Sequence, residues 1–202
     1  MQLRGFYAVL DREDAGLARS LAAHACALQI RIKSGGADVL TRVARLALPI
    51  CRAAGIPLVI NDRLDVALAV GADGVHLGQT DLPLAEARAV AGGRLFIGVS
   101  THDLAQVRAA CAGGADYLGY GPIFATRTKA NPAPVQGLAG LRAATAAAGG
   151  TPVVAIGGVT PGVARELYAA GASALCAISA VNSAPDPVAV ALALTPGYHP
   201  GA

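Results

Sequence analysis

The stretch 57–78, PLVINDRLDVALAVGADGVHLG, decides the fold. It opens with an apolar run at 57–61, continues through an amphipathic stretch at 63–70, and returns to a second apolar run at 74–77. Nearly continuous apolarity, in place of strict alternation, is typical of strands that are buried on both faces. Gly71 stands where a helix should end and turn into the next strand. The stretch therefore predicts a strand, a helix and a second, parallel strand.

The same unit recurs along the whole chain. Strands are expected near 5–10, 27–32, 57–61, 74–77, 95–99, 116–120, 152–156 and 174–178, and helices near 14–25, 37–54, 63–70, 83–91, 103–113, 137–147, 161–170 and 186–193. The tripeptide Gly-Ala-(Asp/Ser) also repeats, at 71–73, 114–116 and 171–173. Repeated strand–helix units with short links predict parallel strands and right-handed crossovers. We expect an α/β protein with a single (β/α)8 TIM barrel over residues 1–194 and a flexible tail at 195–202.

An open, doubly wound sheet is the alternative arrangement of these units. Closure into a barrel explains why no predicted strand has the polar residues that are typical of an edge strand. The first strand is also not followed by the G-x-G-x-x-G motif of dinucleotide-binding sheets. The sequence therefore favours the barrel.

Composition narrows the class of protein and its partners. Hydrophobic residues make up 54% of the chain and charged residues 14%, which is typical of a sizeable buried core. The net charge is only +3, Trp is absent and there is no Lys/Arg run, so nucleic acid is not an expected partner. The four cysteines, Cys26, Cys51, Cys111 and Cys176, lack metal-ligand spacing and are expected as buried free thiols in a reducing compartment.

The expected compartment is the cytoplasm. The opening residues MQLRGFYAVLDRED lack the long apolar stretch and the cleavage site of a signal peptide. The longest uncharged run, between Arg142 and Arg165, is interrupted by glycines and prolines, so no membrane contact is expected. The sequence leaves open whether the chain forms a homodimer.

Polar residues concentrate where the predicted strands end. In a (β/α)8 barrel, catalytic groups come from these carboxyl ends and the loops after them. The concentrated residues are Gln29, Arg31, Lys33, Asn61, Asp62, Arg63, Gln79, Asp81, Ser100, Thr126, Thr128, Lys129, Gly157, Gly158 and Ser179. Random scatter would not place nearly all of them on one rim, so we expect the active site there.

Gln29, Arg31 and Lys33 alternate along one extended segment, so their side chains are expected on one side of it. An Arg fork and a Lys point charge at this spacing can face a diphosphate together. A solvated strand end is the alternative, but inward-facing charge in a barrel is costly unless it is paired, which favours a functional role.

Asp62 and Asp81 follow two successive strands. Two carboxylates, completed by water and substrate phosphates, form a typical Mg²⁺ site. Either residue could instead cap a helix, and Asp81 stands before Pro83 and Glu86 in the manner of an N-cap. The sequence predicts a Mg²⁺ site and leaves capping as the alternative.

Two further features follow the later strands, and a histidine lies at the end of the fourth strand. The segment 121–137, GPIFATRTKANPAPVQG, is long for a loop of this kind, which is typical of a lid or binding loop. Gly157-Gly158 and Ser179 predict a backbone cradle for phosphate, with an ordinary turn as the alternative. His76, in GVHLGQ, is expected as a hydrogen-bonded core residue, and no Ser or Cys triad motif appears.

Taken together, these motifs resemble the thiamine phosphate synthase family. The segments that carry the resemblance are LVINDRLDVALAVGADGVHLGQTDLP at 58–83, IGVSTH at 97–102, ADYLGYGPIFATRTK at 115–129 and VVAIGGV at 153–159. The resemblance runs from about Phe6 to Leu194. It implies condensation of 4-amino-2-methyl-5-hydroxymethylpyrimidine diphosphate with 4-methyl-5-(2-phosphoethyl)thiazole to give thiamine phosphate and diphosphate, with Mg²⁺ as cofactor.

The resemblance also implies a role for each matching residue. Gln29, Arg31, Lys33 and Asn61 would hold the pyrimidine diphosphate; Asp62 and Asp81 would bind Mg²⁺; Ser100 and Lys129 would contact the diphosphate; Thr126 and Thr128 would line the thiazole phosphate side; and Gly158, Ile178 and Ser179 would receive the thiazole phosphate. Arg31, Lys33, Ser100 and Lys129 would be catalytic, stabilising charge on the departing diphosphate in a dissociative substitution without a protein nucleophile.

One position departs from the family pattern. The family commonly reads Q-x-R-E-K where this chain has Gln29-Ile30-Arg31-Ile32-Lys33. Either the lost acidic residue was structural, or Arg31 has lost a partner. A thiazole tautomerase and a non-catalytic phosphate-binding barrel remain alternatives, although the two aspartates and the Thr-x-Thr-Lys loop favour the synthase.

Overall fold

A computed structural model describes residues 3–126 and 133–197. The strands in this part of the chain are β1 Gly5–Leu10, β2 Ala27–Ile30, β3 Leu58–Asn61, β4 Gly74–Leu77, β5 Phe96–Thr101, β6 Tyr117–Tyr120, β7 Val153–Ile156 and β8 Ala174–Cys176. They pair in parallel in chain order, and β8 closes the sheet against β1. The predicted barrel is therefore confirmed, and the open sheet is wrong.

Helices follow the strands on the outside of the barrel. They are α1 Ala15–Ala22, α2 Ala37–Ala54, α3 Leu64–Val70, α4 Leu84–Ala91, α5 Leu104–Ala112, α6 Gly137–Ala147, a 3-10 turn Pro161–Val163 that leads into α7 Ala164–Ala169, α8 Ser179–Asn182 and α9 Pro187–Ala193. Among the described residues, every helix is too short or too polar for a transmembrane span. The predicted elements lie within a few residues of these bounds, except α8, which the sequence pattern does not predict.

Aspartates define where several helices begin. The side chains of Asp14, Asp103 and Asp186 accept hydrogen bonds from backbone N–H groups in the first turns of α1, α5 and α9. Asp81 does not act in this way. The residue before α4 is Pro83, and the Asp81 carboxylate accepts a hydrogen bond from the backbone N–H of Gly78 at 2.6 Å. The capping alternative for Asp81 is therefore wrong.

Side chains of the strands alternate between two cores. Residues that point outward, such as Leu28 and Leu118, pack against the helices. Residues that point inward, such as Val59 and Val154, fill the barrel interior. Ile32 packs against the outer core, so it lies on the opposite side from Arg31. The alternation inferred from the sequence is confirmed for this pair.

The repeated Gly-Ala-(Asp/Ser) tripeptide has a structural role at the amino end of the barrel. The carboxylate of Asp73 accepts from Leu58 N at 2.8 Å, and that of Asp116 accepts from Ile97 N at 2.7 Å. Ser173 Oγ accepts from Val153 N at 3.3 Å. Each third residue thus satisfies a backbone donor near the start of the preceding strand, which explains why the tripeptide recurs.

The cysteines are free in the structure. Cys51 and Cys176 are buried, whereas Cys26 and Cys111 are half-buried. Burial raises the pKa of Cys26 to about 11 and that of Cys176 to about 12, so these thiols stay protonated and inert. The prediction of free thiols is confirmed, and full burial holds for two of the four positions.

Candidate active site

A cavity of about 970 Å³ opens at the carboxyl ends of the strands. The predicted site residues on its wall are Gln29, Arg31, Asn61, Asp62, Gln79, Asp81, Ser100, Thr126, Gly157, Gly158, Ile178 and Ser179. These residues come from the ends of β2 through β8 and from the loops behind them. The barrel therefore brings together side chains that are up to 150 positions apart in the sequence, from Gln29 to Ser179.

Four residues predicted on the rim are not placed on this wall. Arg63 pairs instead with Asp65 at 2.5 Å. Thr128 and Lys129 lie outside the described residues. Lys33 is exposed beyond Ile30, where β2 ends, and is not among the described residues that line the cavity. The alternation that holds for Arg31 and Ile32 after the end of β2 does not extend to Lys33. Its role stays a prediction.

Asp62 and Asp81 lie close enough for their carboxyl groups to interact directly. Asp62 as a whole is exposed, yet its carboxyl group lies in the cavity mouth. Partial burial, and then the hydrogen bond and repulsion from Asp81, raise the pKa of Asp62 to about 6, while Arg31 opposes the shift. Asp62 also adopts a left-handed backbone conformation, with φ of 63°, which is uncommon outside glycine and clusters at functional sites.

The carboxylate pair fits a Mg²⁺ ion. Two like charges held together are unfavourable alone and become favourable around a cation. Among residues 3–126 and 133–197 there is no cluster of three or more His, Cys, Asp or Glu that could form a complete protein cage. Two carboxylates that leave the other positions to water and phosphate oxygens match the coordination preferred by Mg²⁺.

A chain of hydrogen bonds crosses the barrel interior beneath the cavity. Gln29 Nε2 donates to Tyr7 Oη at 3.1 Å, and Tyr7 Oη lies 2.7 Å from Tyr117 Oη. His76 Nδ1 lies 2.9 Å from Tyr117 Oη, and His76 Nε2 lies 2.8 Å from Ser100 Oγ. We call these five residues the inner network. It confirms the prediction of His76 as a hydrogen-bonded core residue.

Burial sets the protonation states of the inner network. Desolvation lowers the pKa of His76 to about 4, so its imidazole is neutral at neutral pH. Burial also raises the pKa values of Tyr7 and Tyr117 above the ordinary tyrosine value, which keeps both phenols protonated. The inner network therefore carries no formal charge.

Glycines leave the space that the inner network occupies. A Cβ atom on Gly98 would overlap the ring of Tyr117, and one on Gly119 would lie 3.0 Å from His76 Cε1. The two aromatic rings thus fit inside the barrel only because neighbouring strands lack side chains at these positions. None of the sequence motifs pointed to either tyrosine. The signal was present in the strand parity, since Tyr7 alternates with the outward-facing Phe6 and Ala8.

The opposite wall of the cavity is formed by a glycine turn and the start of α8. Gly157 and Gly158 have φ values of 92° and 66°. A Cβ atom on Gly158 would lie 2.6 Å from Phe124 Cβ and 2.8 Å from Ala125 O, so the loop after β6 approaches the turn closely. Ile178 and Ser179 face the same cavity. This wall is open to backbone contacts with a phosphate.

Both ends of the long loop 121–137 are anchored to the barrel. Ile123 N and Phe124 N donate to the carbonyl oxygens of Ile156 and Gly157 at 2.9 and 3.0 Å. At the other end, Gln136 N donates to the Pro122 carbonyl at 2.9 Å. Thr126 is therefore held at the cavity, and residues 127–132, between the anchors, lie outside the described residues.

Fold and site together define a class: a (β/α)8-barrel enzyme whose cavity combines a carboxylate pair, a guanidinium and a glycine turn, as in barrels that act on phosphorylated small molecules. Residues 6–181 match the family model of thiamine monophosphate synthase. The chain belongs to this family.

Individual relatives agree with this assignment. The chain is 44% identical to the thiamine-phosphate synthase of Laribacter hongkongensis, over 91% of this chain and 90% of the relative. It is 42% identical to that of Anaeromyxobacter dehalogenans, over 99% and 90%. Among solved structures, the thiamine phosphate pyrophosphorylase of Pyrococcus furiosus superimposes with a TM-score of 0.87 and 34% identity, covering 96% of this chain and 94% of that one.

Proposed function

We propose that the protein is a thiamine phosphate synthase, a transferase that joins a pyrimidine diphosphate to a thiazole phosphate and releases diphosphate. Family membership over most of the chain supports the reaction. The observation that carries the proposal is the pairing of Asp62 and Asp81 beside Arg31 in one cavity with the glycine turn at Gly158. The carboxylates on one side of this cavity would hold a cation, and the backbone on the other side would form a cradle for a phosphate.

The pyrimidine diphosphate is assigned to the wall formed by β2, β3 and β5. Gln29 and Asn61 offer amides for the pyrimidine, while Arg31 and Ser100 offer donors for the diphosphate. Lys33 and Lys129 are proposed to add positive charge when the substrate is present. Arg31 acts electrostatically on the carboxylate pair, because its positive charge opposes the rise in the pKa of Asp62.

The Mg²⁺ ion is assigned to Asp62 and Asp81. When bound, it supplies positive charge that stabilises the departing diphosphate. The left-handed backbone of Asp62 and the hydrogen bond from Gly78 N to Asp81 fix the two carboxylates from the protein side. The ion would be shared between protein and substrate, because two carboxylates fill only part of an octahedral shell.

The thiazole phosphate is assigned to the opposite wall. Gly158, Ile178 and Ser179 are proposed to receive the phosphate, and Thr126 with Thr128 to line the side facing the loop. The glycine turn and the loop after β6 lie in close contact beside this wall. The two substrates would therefore meet between β2–β5 and β7–β8.

The reaction that fits is a dissociative substitution. The bond between the pyrimidine methylene carbon and the diphosphate oxygen breaks, and its electron pair leaves with the diphosphate. The thiazole nitrogen then donates its lone pair to the methylene carbon and forms the new carbon–nitrogen bond. Neither step moves a proton, which agrees with a neutral, buried His76 and with protonated tyrosines in the cavity floor. The residues bind, orient and stabilise charge.

The test is diphosphate release by the purified protein with both substrates and Mg²⁺. Release that requires both substrates and yields thiamine phosphate is the expected result. Release from the pyrimidine diphosphate alone would show a hydrolase, and isomerisation of the thiazole phosphate without diphosphate release would show a tautomerase. Binding of either phosphate compound without turnover would show a non-catalytic barrel. Each of the last three outcomes would overturn the proposal.

A further inference from the structure

We propose that Tyr117 and His76 are positioning residues that turn the Ser100 hydroxyl into a hydrogen-bond donor aimed into the cavity. The inference rests on the proposed function, because Ser100 is assigned there to the diphosphate. It goes beyond that assignment in naming residues that do not themselves contact the anion. It depends on the direction in which the inner network donates its hydrogen bonds.

Gln29 sets that direction at one end. Its amide Nε2 donates to Tyr7 Oη, so Tyr7 Oη accepts there and has its single hydrogen left for Tyr117, 2.7 Å away. Tyr117 Oη, having accepted from Tyr7, has its own hydrogen left for His76 Nδ1 at 2.9 Å. Among the described residues, Tyr117 is the one hydrogen-bond partner of Tyr7 Oη that can accept, and a buried hydroxyl hydrogen without an acceptor is costly, so each step follows from the one before.

The chain of hydrogen bonds ends at Ser100. If His76 Nδ1 accepts, the neutral ring carries its hydrogen on Nε2, and Nε2–H donates to Ser100 Oγ at 2.8 Å. Ser100 cannot then donate to the histidine, so its own hydrogen is left for an acceptor in the cavity. The Ser100 carbonyl also accepts from Gln79 Nε2 at 2.5 Å, which fixes the backbone that carries this hydroxyl. An anionic oxygen is the acceptor that such a hydroxyl binds best.

Burial prevents the inner network from reversing easily. Tyr7 and Tyr117 are only 2% and 1% exposed, and Gln29 is 5% exposed. A reversed chain would require the Gln29 amide to rotate, and its Nε2 hydrogens would then lose Tyr7 as their acceptor. An unsatisfied polar group costs most where water is absent. The rings of Tyr117 and His76 are also packed closely against Gly98 and Gly119.

Nitrogen-15 NMR of the histidine side chains tests the direction without any substrate. The Nε2–H tautomer of His76 is expected in the unmodified protein. In Tyr117→Phe, His76 Nδ1 loses its donor, and the spectrum should shift toward a mixture of tautomers. Tyr120→Phe is the matched control, since Tyr120 is buried on the same strand but donates to Gln136 outside the inner network. An Nδ1–H tautomer in the unmodified protein would overturn the inference, and that measurement needs no variant to fold.

A double-mutant cycle tests whether Tyr117 acts through Ser100. Tyr117→Phe is expected to lower kcat by about threefold to tenfold, the usual effect of one hydrogen bond, with little change in the KM of the thiazole phosphate. In a Ser100→Ala background the same substitution should cause no further loss. Whatever loss Tyr120→Phe causes should persist in that background. Additive losses for Tyr117→Phe would show a merely structural role and overturn the inference.

The two proposals fail in different ways. If the unmodified protein makes no thiamine phosphate, the proposed function fails while the NMR experiment still reads the direction of the inner network. If turnover is normal but the tautomer is reversed or the cycle is additive, the proposed function stands and the positioning role of Tyr117 and His76 falls.

Discussion

The two ends of the barrel use the same residue types in opposite ways. At the amino end, Arg52 pairs with Asp73 at 2.9 Å and Arg88 pairs with Asp116 at 2.7 Å. These aspartates also accept from strand N–H groups. At the carboxyl end, Asp62 faces another carboxyl group and its pKa is raised. Charges at the amino end satisfy one another, whereas the two carboxyl groups at the carboxyl end repel each other. We infer that the first arrangement stabilises the fold and that the second serves the proposed reaction.

The largest expected effect is the loss of turnover when the carboxyl-end charges are removed. Asp62→Asn should lower kcat by about 100-fold or more, because a stabiliser of the departing diphosphate is lost. Asp65→Asn is the matched control, since Asp65 pairs with Arg63 at 2.5 Å and is not among the described residues that line the cavity. Steady-state rates with saturating substrates measure both. Equal rates for the two variants would show that Asp62 has no role in the reaction.

A comparable loss is expected for Lys129→Ala. The resemblance to the family assigns this cation to the diphosphate, so its removal should lower kcat by about 100-fold. Arg142→Ala removes the same charge from an exposed position on α6 and should leave kcat near that of the unmodified protein. A near-normal kcat for Lys129→Ala would contradict its catalytic role, whatever the structure of residues 127–132.

The carboxylate pair should also make stability depend on pH and Mg²⁺. The pKa of Asp62 is raised from its ordinary 3.8 to about 6, so the folded protein binds this proton more tightly than the unfolded chain. The resulting stabilisation is complete below about pH 4 and is lost as the pH rises through about 6. In the metal-free protein, Asp62→Asn should therefore raise the Tm at neutral pH and leave it unchanged near pH 4.

Added Mg²⁺ provides the control for this prediction. At neutral pH it should raise the Tm of the unmodified protein, because a ligand that binds only the folded state stabilises it. The increase should be much smaller for Asp62→Asn. Differential scanning calorimetry with and without the ion measures both effects. If Mg²⁺ lowers the Tm of the unmodified protein, or raises the Tm of Asp62→Asn by the same amount, the ion does not bind at Asp62 and Asp81.

A substitution at the amino end of the barrel should lower stability and leave turnover unchanged. Asp73→Asn weakens the pair with Arg52 and the hydrogen bond from Leu58 N, so the free energy of unfolding should fall by about 1–2 kcal/mol. The kcat at a permissive temperature should not change. Urea unfolding and steady-state rates on the same preparation measure the two quantities. A loss of kcat with no loss of stability would mean that this end also serves the reaction.

The sequence predicted the barrel because buried parallel strands have a clear pattern, as at Leu58–Asn61 and Gly74–Leu77. It predicted twelve of the residues on the cavity wall, because these strand ends carry polar residues. It could not locate Lys33, because the alternation continues past the end of β2 through Arg31 and Ile32 but does not bring Lys33 onto the cavity wall. It missed the contacts between Tyr7 and Tyr117, because two residues 110 positions apart meet only through barrel closure.

The smallest expected effect concerns Ile32, where the family commonly has an acidic residue. Ile32 packs partly buried against the outer core, while Arg31 lines the cavity on the other side. A carboxylate at position 32 would therefore replace an apolar contact and would not face the diphosphate. Ile32→Glu should lower the free energy of unfolding by roughly 1 kcal/mol and leave kcat and the KM of the pyrimidine diphosphate almost unchanged. Ile32→Gln controls for the charge. A clear gain in turnover with Glu and not with Gln would instead mean that Arg31 lacks a partner in this chain, and that the carboxyl end of the barrel is less complete than its geometry indicates.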